Sequence, residues 1–170
     1  MDLSELETKV RNDFHKITEC LIKNSISITT MESITSGLIA SFITDTEGSS
    51  SVFKGSYITY SNEAKIMNGV SREIIDTYSV YSIETSVDMA RACRQKYNAD
   101  LGIGITGTAG NVDPSNADAS VPGEVYFTID YKGSIHSKKV SLPAMPSRYL
   151  FKLSIASKVA DELLSVISSN

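Results

Sequence analysis

Apolar patterning that switches between a period of two and a period near 3.6 points to an α/β domain of three layers, α/β/α, built on a mixed β-sheet and finished by a hairpin plus a helix. Three observations carry that expectation. Strand-like and helical runs alternate up to residue 105; two strand-like runs then flank Lys132-Gly133; and a long apolar stripe closes the chain after Ser147. The 170 residues, 41% apolar and 21% charged, suit a single domain over 1–170 whose core needs neither disulfide nor metal.

The elements follow in order. Leu3, Leu6, Val10, Phe14, Ile17 and Leu21 recur at steps of three and four, which predicts an amphipathic helix over 3–23. Ile26 and Ile28 alternate with Ser and Thr, a strand over 25–31. It runs through Glu32-Ser33-Ile34-Thr35-Ser36-Gly37 into an apolar helix at 38–43, which Ser33 or Thr35 is expected to cap. A polar turn at 45–51 leads to a strand at 52–60, short helices at 62–68 and 71–78, and a longer helix at 84–97 whose inward face carries Val87, Ala90, Cys93 and Tyr97. Leu101 to Ile105 reads as a buried strand containing Gly102 and Gly104, followed by a loop at 111–122 rich in Asp, Asn, Ser and Ala. The strands 124–131 and 134–142 pair through a two-residue turn at Lys132-Gly133, and the last helix spans 147–168.

Composition narrows the function. A net charge of −4 argues against a general nucleic-acid binder, which needs a basic surface. Cys20 and Cys93, with no CxxC spacing, fit two reduced thiols. The N-terminus lacks the basic start and apolar run of a signal peptide, and no apolar stretch approaches the ~20 residues of a membrane span, so a cytoplasmic protein without membrane contact is expected. His15 lies off the first helix's apolar stripe and His136 inside the hairpin; both read as surface residues.

Four segments at strand ends carry candidate chemistry: Glu32–Gly37, Gly48–Phe53, Tyr60–Lys65 and Thr106–Gly110. Carboxyl ends of strands gather functional loops in α/β folds, although caps and tight turns use the same residue types. Without a triad histidine, the available nucleophile–base pair is a serine with a lysine. A lysine serves as base only where burial or a nearby cation lowers its pKa. Lys65, on the first turn of a short helix beside Tyr60, suits that role better than Lys54 or Lys132, which sit at turn-like sites. Oxyanion donors could come from amides of the 48–51 turn or of the helix start after Ser33.

The stretches T-M-E-S-I-T-S-G at 30–37, T-D-T-E-G-S-S-S-V-F at 44–53, G-S-Y-I-T-Y-S-N-E-A-K at 55–65, G-I-T-G-T-A-G at 104–110 and V-P-G-E-V-Y-F at 121–127 resemble, in order and spacing, the CinA C-terminal family of nicotinamide-nucleotide amidases. The resemblance covers nearly the whole chain, with Y-S-N-E-A-K downstream of G-S-S its most specific feature. It implies hydrolysis of nicotinamide mononucleotide to nicotinic acid mononucleotide and ammonia, without metal or organic cofactor. It implies Ser50 as nucleophile, with Ser49 as the alternative if the register shifts, Lys65 as base, and Tyr60 hydrogen-bonded to that pair. Ser33, Thr106 and Gly107 are implied to line the substrate pocket. Arg148 is similar in position to a family arginine that would hold the phosphate, against the plain reading of a solvated surface arginine. The resemblance further implies a stand-alone form, lacking the N-terminal molybdopterin-binding-like domain of longer relatives, that self-associates into a homo-oligomer.

Departures from the family pattern cluster in one region. Ile34 replaces its cysteine, Ser36 the first of its paired glycines, Ser120 a lysine and Glu124 a threonine, and the loop I-A-G-P-D-G-G reads T-A-G-N-V-D-P-S-N-A. Losing a lysine and gaining a carboxylate is expected to weaken anion binding. That region motivates a second reading, a catalytically silent paralogue that binds a nucleotide or a protein partner.

Overall fold

Asp2 opens the first helix, α1 (Leu3–Lys23), by accepting the Glu5 amide while the Glu5 carboxylate accepts the Asp2 amide. In the computed structural model, which describes residues 2–169, α1 is followed by β1 (Ile28–Glu32), α2 (Leu38–Thr44), a 3₁₀ turn (Ser49–Ser51) and β2 (Phe53–Ile58). Next come α3 (Asn62–Met67), α4 (Arg72–Tyr78), α5 (Ile83–Lys96) and β3 (Leu101–Gly107). A second 3₁₀ segment (Pro114–Ala119), the hairpin β4 (Glu124–Tyr131) and β5 (Ser134–Ser141), and α6 (Arg148–Ser168) complete the chain.

The five strands lie in the order β2-β1-β3-β4-β5. β1 is parallel to both β2 and β3, while β4 and β5 run antiparallel, so the sheet is mixed as expected. Helices α1, α2 and α6 cover one face, where Phe14, Phe42, Leu153 and Val159 meet Ile28, Ile103 and Phe127. The α4–α5 side covers the other through a smaller core of Met31, Val70, Ile75, Val80, Met89 and Cys93. Chain connections leave β1 toward β2 on one side and return to β3 on the other. The carboxyl ends of β1 and β3 therefore flank a topological switch point, where α/β sheets open a crevice.

Strand alternation places the residues that matter. In β3, Ile103 and Ile105 point to the α1–α6 core, whereas Gly102 and Gly104 face α5. A Cβ on Gly104 would stand 2.2 Å from the Ser86 carbonyl oxygen, so α5 can lie on this strand only because the position carries no side chain. In β1, Glu32 faces α2 while Met31 and the following Ser33 face the opposite layer.

The capping of α2 differs from expectation. Neither Ser33 nor Thr35 caps it; Gly37 holds the N-cap position with no side-chain hydrogen bond. The Glu32 carboxylate takes over, its Oε2 accepting the Gly37 and Ile39 amides at 2.9 and 3.2 Å and its Oε1 the Ala40 amide at 2.9 Å. A buried carboxylate at a helix start satisfies orphan N–H groups and complements the positive end of the helix.

Two stability outcomes follow. Glu32→Ala strands these buried donors and is expected to cost about 3 kcal/mol, with Glu32→Gln losing less. Gly104→Ala is expected to cost about 2 kcal/mol by overpacking the α5–β3 contact. Urea unfolding midpoints check both; an unchanged midpoint for either variant removes the role assigned to that residue.

Candidate active site

Where β1 ends, Ser33 is fixed by its own amide, which donates to the Ile105 carbonyl of β3 at 3.1 Å. Across on the β2 side, the Thr59 amide donates to the Glu32 carbonyl at 2.8 Å, extending the strand pairing to the tip of the sheet. Ser61 then starts α3 by accepting the Ala64 amide at 3.1 Å. That cap rotates Lys65 inward, where its side chain is only 1% exposed. Its Nζ donates to the Thr59 carbonyl at 2.8 Å and lies 3.2 Å from Ser33 Oγ.

Burial pushes the Lys65 ammonium down to about 8, against the opposing pull of the Asp113 carboxylate. Its hydrogen-bond partners, a carbonyl and a hydroxyl, are neutral, so desolvation prevails. Two further buried hydroxyls, Thr35 Oγ1 and Thr59 Oγ1, lack a partner among the described residues and flank the pair along the chain.

Ser33 opens on a cleft of about 650 Å³ whose walls also include Tyr60, Tyr81, Gly107, Asp113 and Arg148, with Lys65 buried behind it. At one side the Arg148 guanidinium, on the first turn of α6, donates through Nη2 to Tyr60 Oη at 3.1 Å. One turn on, Lys152 donates to Ser36 Oγ. At the other side the 111–120 loop is tied down by Asp113. Its Oδ2 accepts Tyr81 Oη–H at 2.5 Å and Asn116 Nδ2–H at 2.7 Å, and its Oδ1 accepts the Ser115 amide at 3.0 Å. Asn62 on α3 donates in turn to Asn116 Oδ1 at 2.8 Å. Hydrogen bonds from Asn116 and Tyr81 hold Asp113 below the usual carboxylate range, while burial and the same carboxylate push the Tyr81 hydroxyl up, so it stays a donor.

The expected pairing of Ser50 with Lys65 does not form within the chain. Ser50 is exposed in the 3₁₀ turn before β2, whereas Lys65 follows the far end of that strand. The six residues of β2 separate them by roughly 20 Å at the rise of an extended strand. Ser49, in the same turn, is equally remote. Ser33 is the serine that approaches Lys65, and amides of the 48–51 turn are as remote from that pair as Ser50 is. Tyr60 bonds Arg148 rather than the serine–lysine pair, and is 61% exposed.

Thr106 also departs from expectation. It shares the α5-facing side of β3 with Gly102 and Gly104, is fully buried, and donates to the Val80 carbonyl at 2.9 Å instead of lining the cleft. Gly107 does line it, at φ +153° and with 2.5 Å between a hypothetical Cβ and the Glu124 carbonyl oxygen. Neither Ser120 nor Glu124 is among the residues that line the cleft. Glu124 pairs with Lys139 at 2.7 Å, and Ser120 Oγ accepts the Asp113 amide at 2.8 Å to shape the loop. His15 is exposed; His136 is half-buried in β5, with Nε2 unpartnered among the described residues.

Sequence reasoning missed Tyr81, Asp113, Asn62 and Asn116 as cleft residues. Asp113-Pro114-Ser115 carried a local signal, since Asp before Pro-Ser favours the side-chain-to-backbone turn seen here. The long-range partner Tyr81 had none. Among the described residues no three His, Cys, Asp or Glu side chains gather as a metal site, and no helix is long and apolar enough to cross a membrane.

The sequence profile described as CinA C-terminal domain matches residues 12–166. A CinA-like protein of Fervidobacterium nodosum is 38% identical over 126 residues, 73% of this chain and 30% of that protein. A CinA-like protein of Shewanella pealeana is 34% identical over 150 residues, 88% of this chain and 34% of that protein. The chain thus spans about a third of the length of these curated relatives. A crystal structure of a CinA superfamily protein from Klebsiella pneumoniae superposes with a TM-score of 0.86 at 20% identity, covering 95% of this chain and 99% of that one, a likeness of fold. The chain belongs to the CinA C-terminal domain family.

Proposed function

We propose that the chain is a serine–lysine amidohydrolase that deamidates nicotinamide mononucleotide, with Ser33 rather than Ser50 as nucleophile. The observation that carries this reading is the buried 3.2 Å approach of Ser33 Oγ to Lys65 Nζ, with the lysine pushed down to about 8. The substrate comes from the resemblance, and the cleft supports it: Arg148 at the start of a long helix suits a phosphate, which helix N-termini and guanidinium groups both favour.

In the proposed reaction, neutral Lys65 takes the Ser33 hydroxyl proton as Oγ attacks the carboxamide carbon. The backbone N–H groups of Ile34 and Thr35 stand next to the nucleophile; the turn's own hydrogen bonds run instead from the amides of Ser36 and Leu38. They are assigned to the oxyanion. Lys65 then returns its proton to the departing nitrogen, ammonia leaves, and water hydrolyses the acyl-Ser33 ester with Lys65 again as base. The silent-paralogue reading rested on the altered 106–124 stretch. With Glu124 paired and Ser120 holding the loop, those changes leave the serine–lysine pair intact, and the catalytic reading is the stronger.

Ammonia release from nicotinamide mononucleotide is expected to fall by about 10³-fold or more in Ser33→Ala and in Lys65→Met, and to stay within about two-fold in Ser50→Ala. Full turnover by Ser33→Ala defeats the assignment. The pH dependence has a definite sign. Lys65 acts only when neutral, so kcat/KM is expected to rise with pH through a midpoint near 8. A profile that falls across that range excludes Lys65 as the base.

A further inference from the structure

Asp113 supplies a carboxylate to the cleft lining. Its direct partners, Tyr81 Oη, Asn116 Nδ2 and the Ser115 amide, are all neutral donors, and it forms no ion pair among the described residues. The nearest countercharge it feels is Lys65, and that charge vanishes when Lys65 is deprotonated for catalysis. The working state therefore leaves a fixed carboxylate in a cleft that Arg148 also lines, with no cation in direct contact with it among the described residues. Hydrogen bonds from Asn116 and Tyr81 keep that carboxylate ionised, and a cationic ligand group placed beside it gains Coulomb attraction in a partly desolvated cleft. Tyr81, whose hydroxyl anchors Asp113, sets an aromatic ring in the same wall, a second feature that favours a cation.

We propose that Asp113 is a specificity-determining residue: with Arg148 it gives the cleft a negative and a positive side, which selects a zwitterionic ligand carrying a cationic N-substituted pyridine carboxamide and an anionic tail over the same molecule with an uncharged ring. The inference deepens the amidase reading and rests on it for the ligand's identity. Asn62, by holding Asn116, keeps the loop and its carboxylate at this position.

The probe pair is oxidised nicotinamide mononucleotide and its reduced 1,4-dihydropyridine form, which keeps the carboxamide, ribose and phosphate but loses the ring charge. Reduction also changes the reactivity of the carboxamide, so dissociation constants from calorimetry are the readout, taken at pH 8.5 with the full chain carrying Ser33→Ala, which does not consume the oxidised form. This Ser33→Ala parent is expected to prefer the oxidised form by about ten-fold, and added Asp113→Asn to bring that preference close to one. Added Tyr81→Phe removes one hydrogen bond but keeps the carboxylate, and is expected to retain most of the preference. A parent with no preference, or one that binds neither form, overturns the inference, as does an Asp113→Asn protein that keeps both its unfolding midpoint and its preference. Selective binding of the oxidised form, with no ammonia release by the unsubstituted protein, would leave this inference standing while defeating the amidase reading.

Discussion

The site depends on keeping a lysine ammonium out of water with no carboxylate in direct contact. Lys65 is almost fully buried, and its Nζ meets only a carbonyl and a hydroxyl. Such a group either holds its proton at a high energetic cost or gives it up more readily, and the drop to about 8 is the second outcome. The arrangement persists because its surroundings cannot relax around it. The Ser33 amide is tied to β3, the Thr59 amide to β1, and α3 is fixed in rotation by its Ser61 cap. Each tie continues ordinary secondary-structure bonding past the end of a strand or helix, so no special loop is needed to aim the pair.

The two-residue period of β1 then separates structural from chemical duty. Adjacent residues at its carboxyl end point to opposite layers: Glu32 turns to the α2 amides and Ser33 to Lys65. Loss of the Glu32 cap would shift the start of α2 and with it the turn that carries Ser33. The same period removes Thr106 from the cleft and puts glycine where α5 lies on β3. One geometrical rule thus accounts for a cap, the turn of Ser33 toward Lys65, a buried threonine and a close helix–strand contact.

Most of the fold was legible because it follows from periodicity. The stripe from Leu3 to Leu21, the Lys132-Gly133 hairpin and the glycines in β3 each predicted an element that the structure contains. Lys65 was legible for a related reason, as a lysine one turn into a short helix at a strand end. The serine that meets Lys65 was not. Choosing among Ser33, Ser49 and Ser50 requires knowing which end of β2 faces the lysine, and the residue types are the same at both ends. The Asp113–Tyr81 contact was equally hidden, since it joins residues 32 positions apart through a loop with no periodic pattern. Glu32 as a cap was missed because it precedes its helix by more than the usual spacing and reaches the amides from a strand.

The central claim is that Ser33 carries the covalent step. The most direct measurement is to quench the protein during turnover of nicotinamide mononucleotide, digest it, and locate the acyl group by mass spectrometry. An ester of the nicotinate nucleotide on the peptide containing Ser33, absent when the substrate is omitted, is the predicted result. An adduct on the peptide containing Ser49 and Ser50 would contradict the account, because no conformation of β2 within this sheet brings that turn to Lys65.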